Sequence, residues 1–148
     1  MIRSATHDDL PALVALGAFL HDESPRYRVR SFDPVRCGEH LRSLIDGAGV
    51  VFVADHAGVV VGGFAGGIAV DWFGSHKTAF DYSLMVHPEH RQGVVAVRLI
   101  TAFKHWAKRM GADSVQMGVT TGIHDDNTAR LYLALGFDRI GQLFEQGV

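Results

Sequence analysis

The segment from Leu84 to Trp106 constrains this chain more than any other, because the rest can be placed relative to it. Leu84-Met85-Val86 closes an alternating apolar run, His87-Pro88-Glu89-His90 makes a turn, and Arg91-Gln92-Gly93-Val94-Val95-Ala96 opens a helix among small residues. A strand that feeds a helix through a tight turn leaves the first N–H groups of that helix without intrahelical acceptors. The positive end of the helix dipole lies at the same place, so the junction suits a phosphate or pyrophosphate.

Composition limits what surrounds this junction. With 148 residues, 47% hydrophobic, the chain has enough sequence for one globular domain, 1–148, with a full core. Charged residues make up 20% and the net charge is −2, with lysine only at Lys77, Lys104 and Lys108. That balance argues against a nucleic-acid-binding surface. Cys37 is the one cysteine, which excludes an intramolecular disulfide and fits a reducing compartment. The first residues lack the apolar core of a signal peptide. The longest apolar run, Val59 to Val70, is interrupted by Gly62, Gly63, Gly66 and Gly67 and is too short to span a membrane. A soluble cytoplasmic domain is expected.

Periodicity orders the elements. Ile2 to Ala5 reads as a short strand, followed by a helix capped by Thr6 or Asp8 that carries Leu10, Leu13, Val14, Leu16 and Leu20 and stops at Pro25. After Arg26-Tyr27-Arg28-Val29-Arg30, a second helix is capped by Asp33 with Pro34 at its first position and carries Val35, Leu41, Leu44 and Ile45. Val50–Ala54 and Gly58–Val70 read as strands joined through Asp55-His56-Ala57, the paired glycines of the second suggesting bulging or close approach. Thr78–Val86 is a strand with Phe80, Tyr82, Leu84 and Val86 on one face and Asp81, Ser83 and Met85 on the other. The helix after Pro88 turns Val95, Leu99, Phe103 (or Ala102), Trp106 and Met110 inward and ends at Gly111. Ser114–Thr120 is a strand, Asp125–Leu135 a helix and Phe137–Phe144 a final strand. The order β-α-α-β-β-β-α-β-α-β is an α/β mixture, antiparallel first and with strand-helix-strand crossovers later.

That order, the Val86–Ala96 segment, and Asp125-Asp126-Asn127-Thr128-Ala129-Arg130-Leu131-Tyr132-Leu133-Ala134-Leu135-Gly136-Phe137 together resemble the GNAT superfamily of acyl-CoA-dependent N-acetyltransferases. Arg91 to Ala96 is similar to the family's pyrophosphate motif Arg/Gln-x-x-Gly-x-Gly/Ala, and Tyr132 precedes Gly136-Phe137 as in its second signature. The resemblance implies a mixed sheet of about 6–7 strands with about 4 helices and strands splayed at the acyl-CoA site. It also implies acetyl-CoA as cosubstrate, no metal, and direct acetyl transfer to a small-molecule, peptide or protein amine. A homodimer is implied as well, with the C-terminal strand around Ile140, Leu143 and Phe144 contributing.

Carried over residue by residue, the backbone N–H groups of Gln92, Gly93, Val94, Val95 and Ala96, with Arg91, hold the pyrophosphate. Leu84, Met85 and Val86 pair with the pantetheine arm, and the Val86 N–H lies near the thioester oxygen. Tyr132 is the general acid, since a phenol can protonate the departing thiolate. Asp81 is the general base, burial raising its pKa toward a useful value, and His87 is a second candidate. Asn127 is a possible partner of the cofactor arm, although the family asparagine lies seven residues before the tyrosine, where this chain has Asp125. Each residue also has a plainer role: Arg91 at a solvated helix start, Leu84–Val86 in the sheet core, Tyr132 packing its helix, Asp81 as a cross-strand partner.

One position departs from the motif: Val94 stands where the middle glycine is expected. Either its side chain turns to the core while its N–H faces the ligand, or Gly93 supplies the freedom one residue early. Failing both, the chain is a non-catalytic GNAT-fold binding or assembly module with a weakened CoA site. The nine histidines are scattered, and only His87 and His90 lie close in sequence, which is a weak metal signal.

Overall fold

The computed structural model describes residues Met1 to Val148. Five strands, β1 (Ile2–Ser4), β2 (Val50–His56), β3 (Val59–Val70), β4 (Lys77–Val86) and β5 (Ser114–Gln116), lie side by side in sequence order. The first four are antiparallel neighbours, and β5 runs parallel to β4. Parallel pairing needs a crossover, and the helix following β4 supplies it. The helices are α1 (Leu10–Glu23), α2 (Pro34–Ser43), α3 (Val95–Arg109) and α4 (Asp125–Ala134). No helix is long and apolar enough to cross a membrane.

Strand alternation divides the core between the two faces. Val50, Phe52 and Ala54 of β2 join Phe64, Leu99, Ile100, Phe103 and Tyr132 on the side of α3 and α4. Val51 and Val53 join Leu10, Leu13, Leu41 and Met85 on the side of α1 and α2. The glycines of β3 let both helix layers sit close. A Cβ at Gly63 would come within 2.6 Å of Leu13 on one face, and one at Gly66 within 2.5 Å of the Phe103 ring on the other. The central strand is therefore bare where the largest core side chains press on it.

Helix ends follow the local chemistry. Asp33 Oδ1 accepts from Val35 N–H at 2.9 Å and Arg36 N–H at 3.1 Å, capping α2. Gly136 adopts φ +91°, and its N–H bonds Leu133 C=O while Phe137 N–H bonds Tyr132 C=O, a Schellman closure of α4. At the start of the chain, Arg3 donates to both carboxylate oxygens of Asp9 (2.7 and 2.9 Å) and to Asp55 Oδ2 at 3.1 Å. Asp9 also accepts from Thr6 N–H at 2.8 Å, and Asp55 Oδ1 from Gly58 N–H at 2.8 Å in the β2–β3 turn. One guanidinium thus ties the entry of α1 to that hairpin.

Several expectations are corrected. The sheet has five strands, and Phe137–Phe144 is not among them. Ile140, Leu143 and Phe144 are 76%, 78% and 85% exposed, because no strand edge or helix face meets them. The strand expected over Ser114–Thr120 stops at Gln116. The β2–β3 turn is the two-residue Ala57-Gly58, both at positive φ, with His56 paired to Val59. Val35 and Met110 are exposed, and α3 buries Ile100 and Ala107 in addition to Leu99 and Phe103. In β4 the register with β3 steps from Ala65↔Ser83 to Gly66↔Asp81, so Tyr82 is an extra, bulged residue. The bulge shifts alternation by one: Ala79, Leu84 and Val86 share the α3 side, and Met85 takes the other. Phe80 lies with Tyr82 near Gly67, away from Leu84.

Arg3 and Thr6 hold the Asp9 carboxyl at a pKa of about 2, below its ordinary range. A depressed carboxylate pKa stabilises the fold above about pH 4, and that contribution disappears as pH falls through the folded value. Asp9→Asn should therefore cost about 2 kcal/mol at pH 7. The gap between variant and parent, measured by urea unfolding, should close between about pH 4 and pH 2.

Candidate active site

The site begins where β4 and β5 separate. Their ladder runs only through Thr78↔Ser114, Ala79↔Val115 and Phe80↔Gln116. Beyond it β4 continues to Val86, while Met117–Thr120 leaves the sheet. The β4 edge from Asp81 onward has no strand beside it, and a cleft of about 1120 Å³ occupies the gap. His87 N–H bonds Val61 C=O across the β3 side. Antiparallel alternation then turns the N–H and C=O of Leu84 and Val86 toward the cleft.

Two side chains meet at the parting. Asp81 Oδ1 accepts the Gly118 N–H at 3.0 Å, so a carboxylate takes the place of the missing ladder bond. Tyr132, on α4 and only 7% exposed, donates its hydroxyl to Gly118 C=O at 3.4 Å. Burial pushes the Asp81 carboxyl above the ordinary range, the Gly118 N–H drawing it partly back. Burial, and secondarily the Asp81 charge, pushes the Tyr132 phenol well up, so it keeps its proton at neutral pH. The Tyr132 ring packs on Phe137 with centroids 5.8 Å apart, which explains the spacing of the Tyr-x-x-x-Gly-Phe segment. Gly136 turns the chain so that Phe137 returns onto the tyrosine.

At the far end of β4, Pro88–His90 forms a 3-10 turn and α3 starts at Val95. The first backbone bond of α3 is Arg98 N–H to Val94 C=O, so the N–H groups from Gln92 to Val97 have no backbone acceptor. Arg91 is not a solvated helix-start residue. Its Nε donates to Val86 C=O at 3.0 Å and its guanidinium pairs with Glu23 at 2.7 Å, joining the end of α1 to the end of β4. The Val94 side chain turns to solvent, not to the core: it is 54% exposed at φ −87°, a conformation any residue adopts. Gly93 is not at positive φ, so the junction draws no special freedom from it either.

The α1–α2 connection closes one side of the cleft. The buried Ser24 hydroxyl donates to Thr121 C=O, and the Tyr27 hydroxyl bonds Thr120 Oγ1 at 2.8 Å. Arg26 and Arg30 flank the Tyr27 ring, each 5.4 Å from its centroid, and both pair with Glu145, at 2.8 and 2.7 Å. Asn127 is exposed at the cleft margin, while Asp125, one residue into α4, has a buried Oδ1 without a partner. His87, at the end of β4, stacks on Phe19 of α1 and lies outside the Asp81–Tyr132 pair. His56 joins His87 and His90, ring centroids being 5.8 Å (His56–His90) and 6.1 Å (His87–His90) apart, but no group of three ligating side chains has metal-binding geometry.

Sequence reasoning missed Gly118, Thr120 and Thr121. Their role depends on partners distant in the chain, Asp81, Tyr27 and Ser24, and no local pattern marks them.

A model of the acetyltransferase (GNAT) family matches residues 16–137. Among solved structures, an aminoglycoside acetyltransferase, HMB0005, from an uncultured soil metagenomic sample is 21% identical with a TM-score of 0.75, covering 100% of this chain and 97% of that one. The aminoglycoside N-acetyltransferase AAC(6')-Iy in complex with CoA is 21% identical with a TM-score of 0.76, covering 100% and 98%. An acetyltransferase of Trypanosoma brucei is 18% identical with a TM-score of 0.77, covering 100% and 99%. At such identities these structures share the fold. No curated protein matches the chain. With most of its length matched by the family model, the chain belongs to the GNAT acetyltransferase family.

Proposed function

We propose that the protein transfers an acetyl group from acetyl-CoA to a primary amine by direct attack in a ternary complex. The observation that carries this reading is the continuity of one unpaired surface. The free edge of β4 at Leu84 and Val86 leads into the unbonded N–H groups of Gln92 to Val97, with Asp81 and Tyr132 at its other end. That surface fits an extended amide-bearing arm ending in a pyrophosphate: strand-like pairing for the arm and helix-start donors for the anion. Arg91, engaged with Val86 and Glu23, would brace the junction and not itself grip the phosphates. Asn127, at the margin, would contact the cofactor arm.

Acetyl-CoA supplies the thioester carbon that the amine lone pair attacks. The Val86 N–H, turned into the cleft, would polarise the thioester carbonyl. Asp81 would take the proton that the amine sheds, directly or through a water, and Tyr132 would give its phenolic proton to the departing sulfur. The new bond is N–C, the broken bond C–S, and one proton is gained and one lost by the protein. The raised ionisation of Asp81 suits its task, because the carboxyl is a stronger base than usual.

Tyr132→Phe should lower kcat by about 10²-fold or more while leaving the Kd for acetyl-CoA within about threefold; an unchanged kcat would remove Tyr132 from the mechanism. The solvent-facing Val94 predicts that Val94→Gly leaves acetyl-CoA affinity within about threefold in a calorimetric titration. A tightening of tenfold or more would show that the valine obstructs the cradle.

A further inference from the structure

The acetyltransferase reading leaves the acceptor open, and the charge and shape of the cleft narrow it. Three carboxylate or guanidinium side chains line the cleft: Glu23, Asp81 and Arg91. Glu23 and Arg91 neutralise one another at 2.7 Å, and the arginines at the adjacent loop, Arg26 and Arg30, are both occupied by Glu145. Asp81 is the one lining carboxylate without a cationic partner. A second ammonium group would find no free carboxylate in the lining itself, Asp125 and Asp126 standing outside it at the start of α4. A single ammonium group is matched.

The wall beside that carboxylate is aromatic. Tyr82 stands edge-on to the His40 ring with centroids 4.6 Å apart, and Phe32 tilts against His21 at 5.3 Å. Beneath them Phe32, Cys37 and Met85 converge on Gly17, where a Cβ would lie 3.6 to 3.9 Å from all three. Phe32, Tyr82 and His40 belong to neither hydrophobic core, and Tyr82 is 50% exposed, so the fold does not require this surface. The β4 bulge creates the pairing: Tyr82 is the extra residue, turned to the α2 side, while the adjacent Asp81 faces Gly118 and α4. Asp81, Tyr82, Phe32 and His40 nevertheless line the same cleft, so an amine held at Asp81 can extend its body toward the aromatic wall.

Resting on the acetyltransferase reading, we infer that the acceptor is a small amine with one positive charge on an aromatic or similarly flat apolar body, recognised by Phe32, Tyr82 and His40. This separates the chain from the polycationic aminoglycosides named for two of its structural neighbours. Planar rings stacked or edge-packed on such a wall gain affinity that an aliphatic chain of equal charge does not.

The test is acetyl-CoA-dependent thiol release with 2-phenylethylamine, n-butylamine, spermidine and kanamycin, alongside calorimetric binding of acetyl-CoA. The expected result is a kcat/KM for 2-phenylethylamine at least tenfold above each of the other three. Phe32→Ala should raise its KM at least fivefold with acetyl-CoA binding unchanged, and Phe32→Leu, which keeps more of the volume, should fall between. Preference for spermidine or kanamycin, equal turnover across the panel, or no turnover of any amine while acetyl-CoA binds would overturn the inference. Failure to bind acetyl-CoA would instead overturn the acetyltransferase reading, and this one with it.

Discussion

The parting of two strands governs this molecule. Beyond Phe80 and Gln116 the β4–β5 ladder ends, and a buried sheet acquires an internal edge whose polar groups need other partners. The protein meets part of that need itself: Asp81 takes the Gly118 N–H and Arg91 takes the Val86 C=O. What remains unpaired is Leu84, the Val86 N–H and the start of α3, and these form the surface we propose for the cofactor. Such edges invite aggregation when left open on a sheet rim. Here the edge is recessed, with the pinned Ser24–Tyr27 turn on one side and α4 on the other.

The same parting depends on rigid packing on either side. Gly63 and Gly66 allow Leu13 and Phe103 to press on opposite faces of β3, so the strand that supports β4 is clamped between two helix layers. The bulge at Tyr82 sits across from Gly66, where the Phe103 ring fills the space a side chain would need. A local irregularity of β4 is thereby held in one geometry, and it decides that Asp81 and Tyr82 face different ways.

Much of this was legible in the sequence, for identifiable reasons. Helix caps at Asp33 and Gly111, the Gly136-Phe137 stop and the strand-to-helix junction are local signals, and the structure shows each of them. The bulge was not legible: Phe80-Asp81-Tyr82-Ser83-Leu84 alternates without flaw, and only the register against β3 reveals the extra residue. Nor was the end of β5, since Met117 to Thr120 is as strand-like as Ser114 to Gln116 and leaves the sheet for tertiary reasons. The tail differs from expectation because Ile140, Leu143 and Phe144 have strand composition but pair with no strand of the sheet and stay exposed. At the site, Asp81 and Tyr132 are named from the sequence and are brought to the N–H and the C=O of one residue, Gly118, which nothing local marks.

The central claim is that the unpaired β4 edge and the α3 N-terminus together receive acetyl-CoA. Backbone amide chemical-shift mapping of the isotopically labelled protein, titrated with acetyl-CoA, tests it most directly. The account predicts that the largest changes fall on Leu84, Val86 and the amides from Gln92 to Val97, with smaller ones at Gly118. Absence of change at these amides at millimolar acetyl-CoA, or changes confined to another surface, would contradict it.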